Sequence, residues 1–320
     1  MDSSTTNDSV QSDTAAKNEA FKLLSDETRL ELLEALWEAY DPTDPSPMRF
    51  ADLRERVSAD DPGQVHYHLD KLTEHFVRHT EEGYKLRESG KRIVRILLSG
   101  TALDDPEIEP VEVDMSCPYC GGQTLYSYRD GWRYLECTDC DVRCVPSFPP
   151  GVITMSEFPP SGLRDRTPTE IGDADWLWRT HRRASVIDGV CPECAGNMAI
   201  TSIHICDDHQ PDWEEYQFCE NCKSIFRMLV SHLCEQCKYR WSMPISNYLT
   251  GEPAVTAFYY EHEIEFDYST PDQFSLLLDV EKELLSEDPL RIRLTIPLEG
   301  EELSLTFDDQ MDVVSTERNG

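Results

Sequence analysis

Cysteine spacing constrains this chain more tightly than any other feature. Of its twelve cysteines, eleven stand in Cys-x2-Cys or Cys-x2-His pairs. Cys117, Cys120, Cys137 and Cys140 form Cys-x2-Cys-x16-Cys-x2-Cys. Farther on, CPECAGNMAITSIHICDDH, beginning at Cys191, can be laid over CENCKSIFRMLVSHLCEQC, beginning at Cys219. Adding 28 carries Cys191, Cys194, Cys206 and His209 onto Cys219, Cys222, Cys234 and Cys237. Two thiols three residues apart reach one ion from a single tight turn, and zinc takes four thiolate or imidazole ligands tetrahedrally. Gly121 and Gly122, behind the first pair, supply the permissive backbone such a turn needs. The spacing predicts three zinc ions, each closed by four protein ligands with no position left for water, and so structural rather than catalytic.

Within the repeat two pairings are open. Sequential pairing puts Cys191, Cys194, Cys206 and His209 on one ion and Cys219, Cys222, Cys234 and Cys237 on the other. Cross-braced pairing joins the first knuckle to the third and the second to the fourth. The equal eleven-residue spacers inside each half favour the sequential form. Cys144 is left over and is expected to be a small buried apolar side chain. The stretch from Cys191 to Trp241 holds few large apolar residues, so metal is expected to replace a hydrophobic core there. A structural zinc contributes about 10–16 kcal/mol of apparent folding energy.

Charge bears on where such a chain works. Lysine and arginine number 29 against 62 aspartates and glutamates, a formal net charge of −33. Such a chain repels nucleic acid at low salt. Acid spread along the whole length suits a protein of molar salt, where the Debye length falls to about 3 Å; an ordinary acidic cytosolic protein is the plainer reading. No apolar run approaches the ~20 residues of a membrane span. The start, MDSSTTNDSVQSDTAAKNEA, lacks the basic and apolar regions of a secretory signal. A cytoplasmic location, no membrane contact, and metal rather than disulfides are expected.

The rest of the chain divides by pattern into an α+β protein. Residues 1–16 read as a disordered polar start. Residues 17–100 run helix, helix, short helix, helix, two-stranded wing, helix, the layout of a winged helix-turn-helix domain. In AFKLLSDETRLELLEALWEAY, Ser25 is placed to cap a helix. Pro62 suits the first turn of another, and FVRHTEEGYKLR alternates about Glu82-Gly83 as a hairpin does. Residues 101–115 read as an acidic linker, 116–150 as a zinc ribbon, 151–190 as a linker with a helix, and 191–241 as the tandem two-zinc repeat. Residues 242–320 read as an acidic, strand-rich module, with EPAVTAFYYEHEIEF as strand and a hairpin at Glu299-Gly300. From Gly251 to Gly320, 18 acids face 4 bases, which points away from nucleic acid and toward a protein partner.

GQVHYHLDKL, from Gly63 to Leu72, stands where a helix-turn-helix reader would. Val65, Leu69 and Leu72 keep helical spacing and should face inward. Gln64, His66, Tyr67, His68 and Lys71 are left for groove and backbone, since Gln reads adenine edges and Tyr or Lys holds phosphate. Between Pro62 and Ser99 seven bases meet five acids, with four histidines besides. This window is basic inside an acidic protein.

At AFKLLSDETRLELLEAL, QVHYHLDKL and EEGYKLRESGKRIVRILLSG the chain resembles ArsR-type winged-helix transcription regulators, and more narrowly their haloarchaeal group with cysteine-rich zinc-ribbon C-terminal halves. EPAVTAFYYEHEIEF is similar to a segment that follows the cysteines in those proteins. The resemblance implies a cytoplasmic, often homodimeric regulator of double-stranded DNA, with Gln64, His66, Tyr67 and Lys71 on the recognition helix and Arg78 and Lys85 on the wing. Metal-sensing members carry Cys-x-Cys in the helix before the turn. FADLRERV has no cysteine there, so heavy-metal sensing by that route is not expected.

The expected function is a zinc-stabilised, sequence-specific transcription regulator of a halophilic archaeon. A thiol- or zinc-responsive sensor and a protein-interaction scaffold are the alternatives. No Ser/His/Asp set, phosphate-cradling glycine loop or His-Glu-x-x-His is present, and every Cys-x2-Cys has a partner pair at ligand spacing. An enzyme is not expected.

Overall fold

The structure, a computed structural model, describes residues 21–59, 61–100, 105–210, 218–266, 276–277 and 279–320. The polar start expected over 1–16 lies outside them. The chain is mixed α+β, and every sheet among the described residues is antiparallel. It divides into two compact units, Met1–Asp104 and Asp105–Gly320, each described by itself. No helix among the described residues is long and apolar enough to cross a membrane.

In the first unit, helices α1 (Glu27–Glu38), α2 (Phe50–Arg54) and α3 (Pro62–Thr73) precede a hairpin of β1 (Val77–Thr80) and β2 (Gly83–Leu86), and α4 (Glu88–Ser99) closes the unit. Asp26, rather than Ser25, caps α1: its carboxylate accepts from the Arg29 N–H, while the Ser25 hydroxyl donates to the Lys22 carbonyl. A carboxylate one residue later reaches the first-turn amides and also complements the helix dipole. Asp61 caps α3 and Pro62 takes its first turn. Leu32, Leu33, Leu53, Val65, Leu69, Leu72, Val77 and Val94 have no exposed surface. Each such burial contributes roughly 1.5–3 kcal/mol. Met48 adds a one-residue bridge beside β2, exchanging two 2.8 Å backbone hydrogen bonds with Tyr84. That closeness explains Gly83, whose φ is +144° and where a Cβ would lie 2.2 Å from the Met48 carbonyl oxygen.

The second unit begins with a meander of β3 (Ile108–Ser116), β4 (Gln123–Arg129), β5 (Trp132–Cys137) and β6 (Val152–Glu157). Two boundaries read from sequence move here. Residues 108–115 are not linker but the edge strand β3, because Ile108, Val111 and Val113 pack against buried Tyr126 and Tyr128. Pro110 is tolerated at an edge, where the register slips between Ile108 and Val111. Likewise β6, placed in the following linker by sequence, completes the sheet. Helix α5 (Pro168–Ile187) forms where expected, and its Thr167/Glu170 capping box ties down its first turn.

Three strands follow, β7 (Met198–Ile205), β8 (Met228–Cys234) and β9 (Arg240–Pro244), then a 3-10 stretch, Ile245–Gly251, and helix α6 (Pro253–Glu261). EPAVTAFYYEHEIEF is therefore not strand through its first half. Pro253 opens a helix, and Val255, Phe258 and Tyr259 recur at helical spacing and are buried. A second meander, β10 (Glu281–Glu287), β11 (Leu290–Leu298), β12 (Glu301–Phe307) and β13 (Val313–Asn319), ends the chain, with the expected turn at Glu299-Gly300. One apolar cluster joins both halves of this region: Met198, Met228, Val230 and Met243 pack with Leu249, Phe258, Leu294, Leu305 and Phe307. The cysteine repeat is thus not coreless, as its composition suggests. One face of its hairpin is buried by residues that lie after the last cysteine.

Candidate metal centres

Four of the six knuckles share one backbone turn. Cys117, Cys191, Cys219 and Cys234 each accept at the carbonyl from the N–H four residues on, at 2.7–3.1 Å. Each also donates its own N–H to the carbonyl five residues on, at 2.8–3.0 Å. The fourth residue takes a left-handed conformation in every case: Gly121, Ala195, Lys223 and Lys238 have φ of +73°, +56°, +55° and +67°. Only the first is glycine, so the other three positions hold a conformation that costs an L-residue roughly 1–2 kcal/mol. Amides inside the turns point at sulfur: the N–H groups of Gly122, Asp139 and Cys237 donate to Cys120, Cys137 and Cys234 at 3.3–3.4 Å.

The knuckles assemble into three groups, each with its ligand atoms within 4.8 Å of one another: Cys117, Cys120, Cys137 and Cys140; Cys191, Cys194, Cys234 and Cys237; Cys206, His209, Cys219 and Cys222. The pairing in the repeat is neither sequential nor cross-braced but nested, first knuckle with fourth and second with third. Strand pairing is the cause. β7 follows the first knuckle and leads to the second; β8 follows the third and leads to the fourth. They run antiparallel, with Met198 opposite Cys234 and Ile205 opposite Met228. The outer knuckles meet at one end and the inner ones at the other. The equal spacers arise because both strands cover the same gap.

Donor type and separation fit a tetrahedral ion such as zinc. With metal–sulfur bonds of about 2.3 Å, ligand sulfurs should lie about 3.8 Å apart. Cys117–Cys140 and Cys120–Cys137 are 3.9 and 3.5 Å apart, and Cys191–Cys237 and Cys194–Cys234 are both 3.6 Å apart. In the third group His209 Nδ1 faces Cys222 Sγ at 3.4 Å, and its Nε2 lies 3.1 Å from the Ile225 carbonyl oxygen. That contact fixes the tautomer with the proton on Nε2 and leaves Nδ1 as the donor atom, a common outer-shell arrangement for a ligating histidine. Burial, with Arg227 and Lys282 nearby, holds the imidazole below its ordinary value and so neutral, as a ligand must be.

The thiols are prepared unevenly. Burial pushes Cys117 up to about 11 and Cys222 up to about 12. Backbone N–H groups of Cys237 and Gln236 draw Cys234 down to about 6. Burial works against ionisation at Cys120 and Cys219, but amide donors prevail and lower both. A bound cation would favour thiolate throughout. Exposure differs too. Cys194 and Cys237 are exposed, whereas Cys206, Cys219 and Cys222 are buried. Cys144 joins none of the groups. Its buried thiol donates to the Ile153 carbonyl at 2.9 Å, lies 3.4 Å from the Tyr119 hydroxyl, and is pushed up to about 12 by burial.

The side chains expected to meet DNA lie on α3 and on the hairpin behind it. Gln64, His66 and Tyr67 are exposed, with the His66 ring edge-on to Phe50. His68 is turned inward, with Nδ1 3.4 Å from the Asp26 carboxylate, and Lys71 pairs with Glu74 at 3.2 Å. Arg78 and Lys85 are register partners on β1 and β2. A buried polar network had no signal in the sequence: Asp175 accepts from Arg133, Arg179 and Ser156, residues up to 42 positions away. Burial would raise the Asp175 carboxyl, but the two guanidinium groups hold it below the usual range.

Residues 114–313, more than half of the chain, match a family model described as Domain of unknown function (DUF7351), and the chain belongs to that family. Residues 17–97 are similar to a second model, Domain of unknown function (DUF7347). No curated protein and no solved structure matches the chain.

Proposed function

We propose that this protein is a sequence-specific, DNA-binding transcription regulator of the ArsR-like winged-helix type, whose second unit is held by three structural zinc ions. The observation that carries the reading is the two-sidedness of α3. Val65, Leu69 and Leu72 are wholly buried while Gln64, His66 and Tyr67 are exposed, Tyr67 with 59% of its surface. Directly behind it comes a hairpin carrying Arg78 opposite Lys85. A helix so placed reads bases from its outer face, and the hairpin holds phosphate. Phe21, Ile96 and Leu98 are exposed apolar residues on the flanking helical segments, and the reading includes a homodimer through such segments. The net charge of −33 suits molar salt, where phosphate attraction is weakened and base contacts and DNA shape carry more of the affinity. The reading is of a cytoplasmic regulator in a halophilic archaeon, with the acidic C-terminal sheet available to a protein partner and no catalytic role.

A gel-shift titration in molar KCl, using DNA upstream of the protein's own gene, tests it. The expected result is a shift that random DNA does not compete away, and that Gln64→Ala weakens by about 1–3 kcal/mol for a lost base contact. Equal binding to random DNA ends the reading.

A further inference from the structure

The second unit contains a cavity of about 880 Å³, open to solvent, between the first sheet, α5 and β9. Its volume falls within the roughly 300–1,000 Å³ of small-molecule sites. Its charge is the reverse of the chain's. Residues 105–320 hold 16 lysines and arginines against 41 acids. Six of those cations, Arg133, Arg179, Arg182, Arg183, Lys238 and Arg240, line this one cavity, with only Asp114 and Glu157 as lining acids. Asp175 and Glu193 pair with three of the six, Arg133, Arg179 and Arg182, and still leave positive charge in excess. Lys238 and Arg240 make no ion pair among the described residues, so two cations stand at the β9 side uncommitted.

The walls between these charges are apolar and largely aromatic. Tyr126, Trp132, Trp176, Tyr239 and Trp241 line the cavity, and the Arg179 and Arg182 guanidinium groups lie over the Trp176 and Tyr239 rings at 5.3 Å. Two hydroxyls of lining residues are buried without a hydrogen-bond partner among the described residues, that of Tyr126, a residue only 1% exposed, and Thr154 Oγ1. A buried unpartnered hydroxyl is costly, and both belong to residues that line the cavity.

We infer that this cavity is a binding site for a small organic anion, a flat apolar body carrying one carboxylate or phosphate. The body lies between the aromatic side chains. The anionic group takes guanidinium donors. The site is independent of the DNA-binding reading, since it stands on residues of the second unit alone.

The test uses the full chain in molar KCl and two dyes of matching shape, anionic 8-anilinonaphthalene-1-sulfonate and neutral N-phenyl-1-naphthylamine. The expected result is one anionic dye per chain, quenching tryptophan fluorescence, with the neutral dye bound about tenfold more weakly, the factor one charge-assisted hydrogen bond is worth. Gly172 lines the cavity on α5, and a Cβ there meets nothing within 4 Å. Gly172→Trp should fill the space and abolish binding of both dyes. Arg240→Glu, at an exposed position, should weaken the anionic dye several-fold and leave the neutral one unchanged, so the proposal stays testable if the tryptophan variant does not fold. Displacement by 1-naphthoate alone assigns a carboxylate, by 1-naphthyl phosphate alone a phosphate, and by both an anion of either kind. No dye bound, equal affinity for the two dyes, insensitivity to Arg240→Glu, or displacement by neither naphthyl anion overturns the proposal.

Discussion

Residues 21–100 and the β7–β8 hairpin reach a fixed geometry by different means. The first unit holds no four-ligand group among the described residues, and its helices and hairpin enclose Leu32, Leu33, Leu53, Leu69 and Leu72 completely. The hairpin is pinned at each end by a four-ligand group, and between the pins it shares its buried face with the C-terminal sheet. The two ends differ again. The group holding Cys194 and Cys237 opens to solvent, while the one with Cys206, Cys219 and Cys222 is closed. The contrast shows where local order comes from. An apolar core fixes a unit all through, whereas ligand groups fix chain positions and leave the rest to whatever packs on them.

The largest effect should come from removing metal. A structural zinc supplies about 10–16 kcal/mol of apparent folding energy. A strong chelator should therefore erase amide protection over 117–140, 191–210 and 218–237 while α1 and α3 stay protected, as read by hydrogen exchange with mass spectrometry. Loss of protection in α1 and α3 as well would break the comparison. Native mass spectrometry should find three ions per chain before treatment. Next in size, Leu69→Ala should cost about 2–5 kcal/mol of first-unit stability, the usual range for a fully buried leucine, and leave the ion count at three. A drop in the count would tie the two units together energetically.

Within the hairpin, mild peroxide should strip the Cys191, Cys194, Cys234 and Cys237 group several-fold faster than the other, since thiolate oxidation follows access to solvent. Residual metal measured in Cys222→Ser and in Cys237→Ser backgrounds assigns the order, and equal rates would remove the distinction between the ends. Smallest, Ala195→Gly should stabilise its knuckle by up to about 1 kcal/mol, because the position is left-handed and glycine adopts that conformation without strain. A melting temperature that falls instead would mean that the turn is not strained at Ala195.

The sequence was most legible where the chemistry is local. Four of the six knuckles are closed by hydrogen bonds spanning five residues, and the spacing of all six picked out the twelve positions that the structure groups in fours. Helix α3 was readable because Val65, Leu69 and Leu72 repeat at helical period. The strand reading of 252–266 failed because a run of apolar and aromatic residues satisfies either period at short length, and Pro253 as a helix opener was given too little weight.

What the sequence determined by itself is the set of donors, the turn that presents them, and the order of elements from α1 to α4 in the first unit, all consequences of contacts a few residues apart. Which knuckle groups with which, and which cations gather around the cavity, only the tertiary structure decided. The physical reason is direction. Equal spacers say that two strands are the same length, but whether they run parallel or antiparallel depends on how their faces pack against a sheet that lies later in the chain. The antiparallel choice nests the knuckles, and the fold of residues 105–320 gathers six scattered basic side chains around one opening in an acidic protein.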